Sequence, residues 1–426
     1  MNDSLLLASG RIGLNESYGR VRRQSEALCE PLTIEDYVVQ TMPDVSPPKW
    51  HLAHASWFFE TFILAPYLPG YRTFNPAFHH LFNSYYQGIG TPFPRAQRGL
   101  LSRPTVTEIY RYRAHVDAQI SALIAQLDSH RERVKIRDLI LLGLHHEQQH
   151  QELLMTDIKH ILGSNPLLPA YRDRGEQMPP DPAPALAWVN LSGGVVAIGH
   201  DRDGFGFDNE SPRHDVLLND FLLANRLVTN AEYLQFIDDG GYHNPLLWLS
   251  DGWAAVQREC WKAPLYWRQV DNAWQVFTLE GLKSVDPDEP ACHVSYFEAD
   301  AYAAWAGKRL PAEAEWEHAA AQGDLTPGNY LESGRFHPLP AQAGKRIMQL
   351  GGDVWEWTQS PYVAYPGYRP PHGAIGEYNG KFMCNQMVLR GGSCVTPADH
   401  LRKTYRNFFY PHNRWQFMGI RLATDA

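Results

Sequence analysis

Residues 133–162 read RVKIRDLILLGLHHEQQHQELLMTDIKHIL, an apolar-rich run without proline that ends at Gly163. That length and spacing predict one long helix, with Gly163 as its C-terminal breaker. Leu139, Leu142, His146, His150, Leu153 and Asp157 follow the three-and-four spacing of a face that points into a bundle. Within it, His146-Glu147-Gln148-Gln149-His150 sets two imidazoles one turn apart, so both can reach a single metal ion. Two facing imidazoles in a core need a partner, because a buried unpaired polar group costs roughly 1–3 kcal/mol. A shared metal satisfies both.

Working outward, the first part of the chain reads as further helices. Ser46-Pro47-Pro48 opens the apolar run KWHLAHASWFFETFIL, and Ser followed by an early Pro suits a helix start. Thr105 and Glu108 are spaced as a capping box ahead of a long amphipathic segment. With a helix near residues 15–29, four main helices are predicted, enough for a bundle. His54 shares a face with Trp50 and Phe58 and so points inward as a third ligand. His51, one turn earlier, can do the same, and periodicity alone leaves both open.

The grammar then changes. Residues 164–187 carry Pro166, Pro169, Pro179, Pro180, Pro182 and Pro184 and read as a linker. Residues 188–426 show short apolar runs, glycine pairs and many Trp, with helical character confined to stretches such as Ala299–Gly307 and Ala312–Gln322. The fold class is therefore α+β in two domains, over residues 1–163 and 188–426, as the size of a 426-residue chain also suggests.

Composition narrows the function classes. A net charge of −9 argues against a nucleic-acid surface, which carries a basic stripe. No apolar stretch reaches the ~18 residues of a membrane span. The start, MNDSLLLASGRIGLNES, lacks the build of a signal peptide. Five scattered cysteines with no CxxC pair fit a reducing compartment, so a cytoplasmic location is expected. The 13 Trp and 21 Tyr supply walls for flat or cationic ligands.

The five residues His146 to His150 also satisfy HExxH, in which the glutamate of a zinc peptidase is a general base. The continuation QELLMTDIKH lacks the third histidine of the extended peptidase motif, and no peptidase-like sheet precedes it. WHLAHASWFFETF, FNSYYQGIG and HHEQQHQELL, together with HVSYFEADAYAAWAGKRLPAEAEWEHAA, GGDVWEWT, RGGS and GIRLA, resemble a different family. It is the sulfoxide synthases of ergothioneine biosynthesis, which fuse a DinB-like four-helix bundle to a C-type-lectin-like domain similar to formylglycine-generating enzyme.

That resemblance implies a facial trio of histidines holding Fe(II): His146 and His150 from the HxxxHxE pattern completed by Glu152, and His54 rather than His51. It implies O2-dependent joining of a cysteine-type thiol to hercynine, with formation of a sulfoxide. Gln149, Asn407 and Phe408 match hercynine-binding positions, and a trimethylammonium against a ring face is worth roughly 0.5–2 kcal/mol. Tyr85 and Tyr86 resemble the tyrosine pair of one branch, with Tyr86 the expected donor and Tyr85 its support. Arg95 and Arg98 match the pair that holds the carboxylates of the thiol substrate. Branches using γ-glutamylcysteine carry an aspartate where this chain has Phe409, so free cysteine is the expected thiol. Small-molecule partners are implied, and a homo-oligomer is compatible with them. Selenium- and ovothiol-forming synthases are the near alternatives. A formylglycine-generating oxidase is disfavoured, because Cys394 lacks the second cysteine of its copper pair.

Overall fold

The computed structural model describes residues 13–173, 175 and 181–426. Residues 1–12 of the N-terminal stretch, and Pro179 and Pro180, lie outside them. The chain forms two units, one of residues 1–167 with 371–378, the other of residues 168–370 with 379–426.

In the first unit four helices make the bundle: α1 (Leu14–Ala27), α2 (Pro48–Phe59), α3 (Val106–Ala125) and α4 (Arg133–Ser164). Pro48 occupies the first turn of α2, where its missing N–H costs nothing. The capping box at α3 forms: Glu108 N–H donates to Thr105 Oγ1 at 3.2 Å, and Thr105 N–H donates to the Glu108 carboxylate at 2.9 Å. Helix α2 packs on α3 and α4, and α1 packs on both as well. Gly143 permits the closest approach, since a Cβ there would sit 2.6 Å from the Phe59 ring.

Two expectations need correction. Helix α4 runs through Gly163 and ends at Ser164, with Asn165 extended and Pro166 next. Pro166, unable to continue the ladder, supplies the stop that Gly163 was expected to give. The apolar core stripe of α4 is offset from the predicted face, of which His146 and Asp157 are buried. Ile136, Ile140, Gly143, Glu147, Gln151, Leu154 and Ile158 are buried along it, whereas Leu139, Leu142, His150 and Leu153 are half-buried. A glutamate at the centre of the core stripe hid it from a hydrophobicity pattern.

The second unit is mixed α+β. Strands β1 (Trp188–Leu191) and β12 (Ala423–Asp425) flank β4 (Phe221–Ala224), all antiparallel, so the two ends of this part of the chain close on one strand. A four-stranded sheet runs β10 (Asn407–Phe409), β9 (Met387–Arg390), β8 (Trp355–Pro361), β11 (Met418–Gly419), with β8 and β11 parallel. The core gathers Val189, Leu191, Phe221, Leu223, Trp316, Leu350 and Ala423. The two predicted helices are present as Tyr296–Trp305 and Glu313–Ala321. The first starts earlier than expected because Ser295 and Glu298 form a capping box. From residue 168 the described part of the proline-rich run belongs to this unit: Tyr171 and Arg172 N–H donate to Leu279 O, and Ala187 N–H donates to Asn225 Oδ1.

Candidate metal centre

His51 and His54 lie one turn apart on α2, and His146 and His150 one turn apart on α4. His54, His146 and His150 converge: one ring nitrogen from each lies within 4.8 Å of the others. Their ring centroids are 4.7–4.9 Å apart. Among the described residues this is the sole His/Cys/Asp/Glu group with that geometry.

His54 is stacked between Trp50 and Trp57, with centroids 4.6 and 5.4 Å away. Its Nδ1–H donates to the Phe82 carbonyl at 2.6 Å, which leaves Nε2 as the free nitrogen. That Nε2 is buried without a hydrogen-bond partner, as are both nitrogens of His146, which packs on Phe58 at 4.5 Å. Burial lowers all three imidazoles: His146 to about 3, and His54 and His150 well below their ordinary value with neighbouring histidines adding to the effect. Three neutral imidazoles converging on one point, two of them with buried nitrogens that have no hydrogen-bond partner, fit a divalent transition metal.

His51 is not in the trio. Its Nδ1 lies 2.9 Å from His150 Nδ1, and its Nε2 is 2.9 Å from Asp157 Oδ2. The two histidines of the WHLAH segment thus do different things, although both point inward.

Glu147 turns toward α1 and α3. Its oxygens accept from Arg22 Nη1 at 2.8 Å, Ser25 Oγ at 2.7 Å and Arg113 Nη2 at 3.0 Å. Burial alone pushes this carboxyl up, but Arg22 and Arg113 outweigh it and hold it below the usual carboxylate range. A carboxylate so clamped cannot serve as a general base for water at the metal, and the zinc-peptidase reading of HExxH falls with it.

The tyrosines sit on the loop that also supplies the Phe82 carbonyl. Asn83 shapes it, accepting from Tyr86 N–H at 3.1 Å and donating to Tyr86 O and Gly90 O. Tyr86 is fully buried against Trp57 and Phe62, and Tyr85 stacks on it at 4.6 Å. Burial, reinforced by the neighbouring Tyr85 and Tyr378, keeps the Tyr86 phenol well above its ordinary pKa, so it stays protonated.

Tyr378 was missed from sequence. Its ring centroid is 5.7 Å from that of His146 and 6.4 Å from that of Tyr85, and its hydroxyl donates to Gln149 Oε1. The preceding Glu377 accepts from Gln87 and Gly88 N–H at 3.1 and 2.8 Å, tying segment 371–378 to the tyrosine loop. No local motif could have joined residues 229 positions apart.

Arg98 is buried, with its guanidinium 3.3 Å above the Trp50 ring centroid and Nη1 donating to Ser46 Oγ at 2.8 Å. Arg95 is exposed and donates to the Asp44 carbonyl. Asn407, Phe408 and Phe409 form β10 of the second unit. There Phe408 stacks on Tyr362 at 4.0 Å, Phe409 packs edge-on against Trp415 at 5.9 Å, and Asn407 Oδ1 accepts from Phe408 N–H.

Residues 17–154 match the DinB superfamily model, and residues 175–346 and 341–426 match the sulfatase-modifying factor enzyme 1-like domain. The chain thus joins a DinB-superfamily bundle that carries a converging histidine trio to a sulfatase-modifying-factor-like domain. The hercynine oxygenase of Mycolicibacterium thermoresistibile is 34% identical over 417 residues, covering 90% of this chain and 88% of that protein. The hercynine oxygenase of Mycolicibacterium smegmatis is 32% identical, covering 91% and 93%. The formylglycine-generating enzyme of Streptomyces coelicolor is 32% identical over 290 residues, covering 56% of this chain and 89% of its own. The chain belongs to the hercynine oxygenase family. Among its described residues no helix is long and apolar enough to cross a membrane.

Proposed function

We propose that this enzyme is a non-haem Fe(II) sulfoxide synthase that couples cysteine to hercynine with O2. The reading is carried by the convergence of His54, His146 and His150. The balance is one thiol, one imidazole C–H and O2 giving one C–S bond, one sulfoxide oxygen and one water. Iron, when bound by the three imidazoles, supplies oxygen activation and a common point for both substrates. Gathering reactants at one point removes much of the orientational cost of the bond-forming encounter.

The protein's own groups do the rest. Gln149 offers an amide toward the hercynine imidazole, and Tyr378 already bonds to it. Tyr86, held protonated, is the proton donor, with Tyr85 stacked on it as support. Arg98 presents a buried cation for the carboxylate of the thiol substrate, with Arg95 as the outer member of the pair. On β10, Asn407 is the carboxylate-binding amide and Phe408 the ring for the trimethylammonium. Phe409 carries no charge to pair with the γ-glutamyl amine, which favours free cysteine. All five cysteines are free thiols, in keeping with an enzyme of the reducing cytoplasm.

The test is anaerobic iron loading, then incubation with hercynine, O2 and either cysteine or γ-glutamylcysteine, with products read by mass spectrometry. The expected product is the cysteine-derived hercynyl sulfoxide. A sulfoxide formed from γ-glutamylcysteine rather than cysteine, an ovothiol-type regioisomer, or no coupled product with either thiol overturns the assignment.

A further inference from the structure

His51 lies outside the trio yet touches it, and its two contacts have a definite polarity. The Asp157 carboxylate only accepts, so the 2.9 Å contact to His51 Nε2 requires the hydrogen on that nitrogen. A neutral imidazole with Nε2–H has a bare lone pair on Nδ1. With His51 in that neutral form, its Nδ1 accepts across the 2.9 Å contact and His150 Nδ1 donates. With its hydrogen on Nδ1, His150 keeps Nε2 bare.

We propose that His51 and Asp157 are positioning residues, a two-member relay that locks the tautomer and ring orientation of His150 so that Nε2 is presented to the metal. The inference rests on reading the three histidines as a metal site. The helices supply the spacing. Asp157 follows His150 by two turns of α4, and His51 precedes His54 by one turn of α2, so each helix gives one ligand and one relay member to this side. Asp157 Oδ2 is itself held at 2.8 Å by Ser46 N–H, just ahead of α2. His54 is locked independently by the Phe82 carbonyl, whereas neither nitrogen of His146 is bonded. Two of three ligands are thus set before any metal arrives. The relay also brings a carboxylate, through two rings, to a centre whose own ligands are all neutral, and such partners raise ligand basicity.

The test uses the metal-free full-length protein, titrated anaerobically with Co(II) against a chelating competitor. His51→Leu removes both polar contacts and should weaken Co(II) binding about 10–100-fold. His51→Gln keeps one acceptor and one donor and should recover most of that loss, a rescue that mere space-filling would not give. The His51→Leu/Asp157→Leu double variant should bind no more weakly than His51→Leu, because the two act in series. Wild-type affinity in His51→Leu, or equal weakness in the Gln and Leu variants, overturns the relay. If the leucine variants fail to fold, the wild-type protein decides: 15N spectra of its histidines should show His150 protonated at Nδ1 and His51 at Nε2, and the reverse pattern overturns it. Failure of the wild-type protein to bind Co(II) instead sinks the metal-site reading itself.

Discussion

Arg22 and Glu147 form an ion pair at 2.8 Å in which neither side chain is more than 2% exposed. It joins α1 to the middle of the helix that carries His146 and His150. Removing the charge by Glu147→Gln leaves the buried Arg22 and Arg113 to the part-exposed carboxylates of Asp117 and Glu26. A broken buried pair costs about 3–5 kcal/mol. The urea midpoint should fall accordingly, while the metal content of the protein that remains folded stays near that of the wild type. An unchanged midpoint would show that the carboxylate is not a structural counter-ion.

His150→Ala should lose bound metal and keep its helical circular dichroism. The cavity it leaves is modest, whereas the coordination it removes is one third of the trio. Metal analysis of the purified variant is the check, and wild-type content would remove His150 from the ligand set.

Tyr86→Phe deletes one hydroxyl from a fully buried ring that packs on Trp57 and Phe62. The fold should persist. The ratio of coupled sulfoxide to plain thiol oxidation product should shift toward the latter, measured by mass spectrometry. An unaltered ratio takes Tyr86 out of the chemistry.

In the second unit burial pushes the Asp353 carboxyl up to about 6, against hydrogen bonds from Asn329, Leu339 N–H and Gln349. A carboxyl whose folded pKa exceeds its unfolded value favours folding when protonated. Its contribution is complete below about 3.8 and is lost as pH rises through about 6. Asp353→Asn does not titrate. Between pH 7 and pH 5 the stability of the wild type should therefore rise relative to Asp353→Asn by about 1 kcal/mol. Denaturant melts of both proteins at the two pH values measure it, and parallel behaviour would contradict the shift.

Local spacing made much of the bundle readable. The i, i+4 histidines, the Pro48 start and the Thr105–Glu108 cap depend on neighbours within a turn, and each is where the pattern placed it. The choice between His51 and His54 was beyond periodicity, because both are buried and 300° of helix rotation separates them by little. What decides it is a carbonyl from residue 82 and a carboxylate from residue 157. The core stripe of α4 was misread for a related reason. Glu147 is polar by itself and becomes a core residue only through arginines on two other helices. Tyr378 was illegible altogether, since it reaches Gln149 from the far end of the chain.

That last connection bears on how this protein can be cut or inherited. Residues 371–378 complete the helical unit, with Glu377 bridging Gln87 and Gly88 and Tyr378 reaching Gln149. A gene fragment stopping after residue 167 would encode every histidine of the trio but neither Glu377 nor Tyr378. The partner of Gln149 is thus supplied by a segment 229 positions further along the chain.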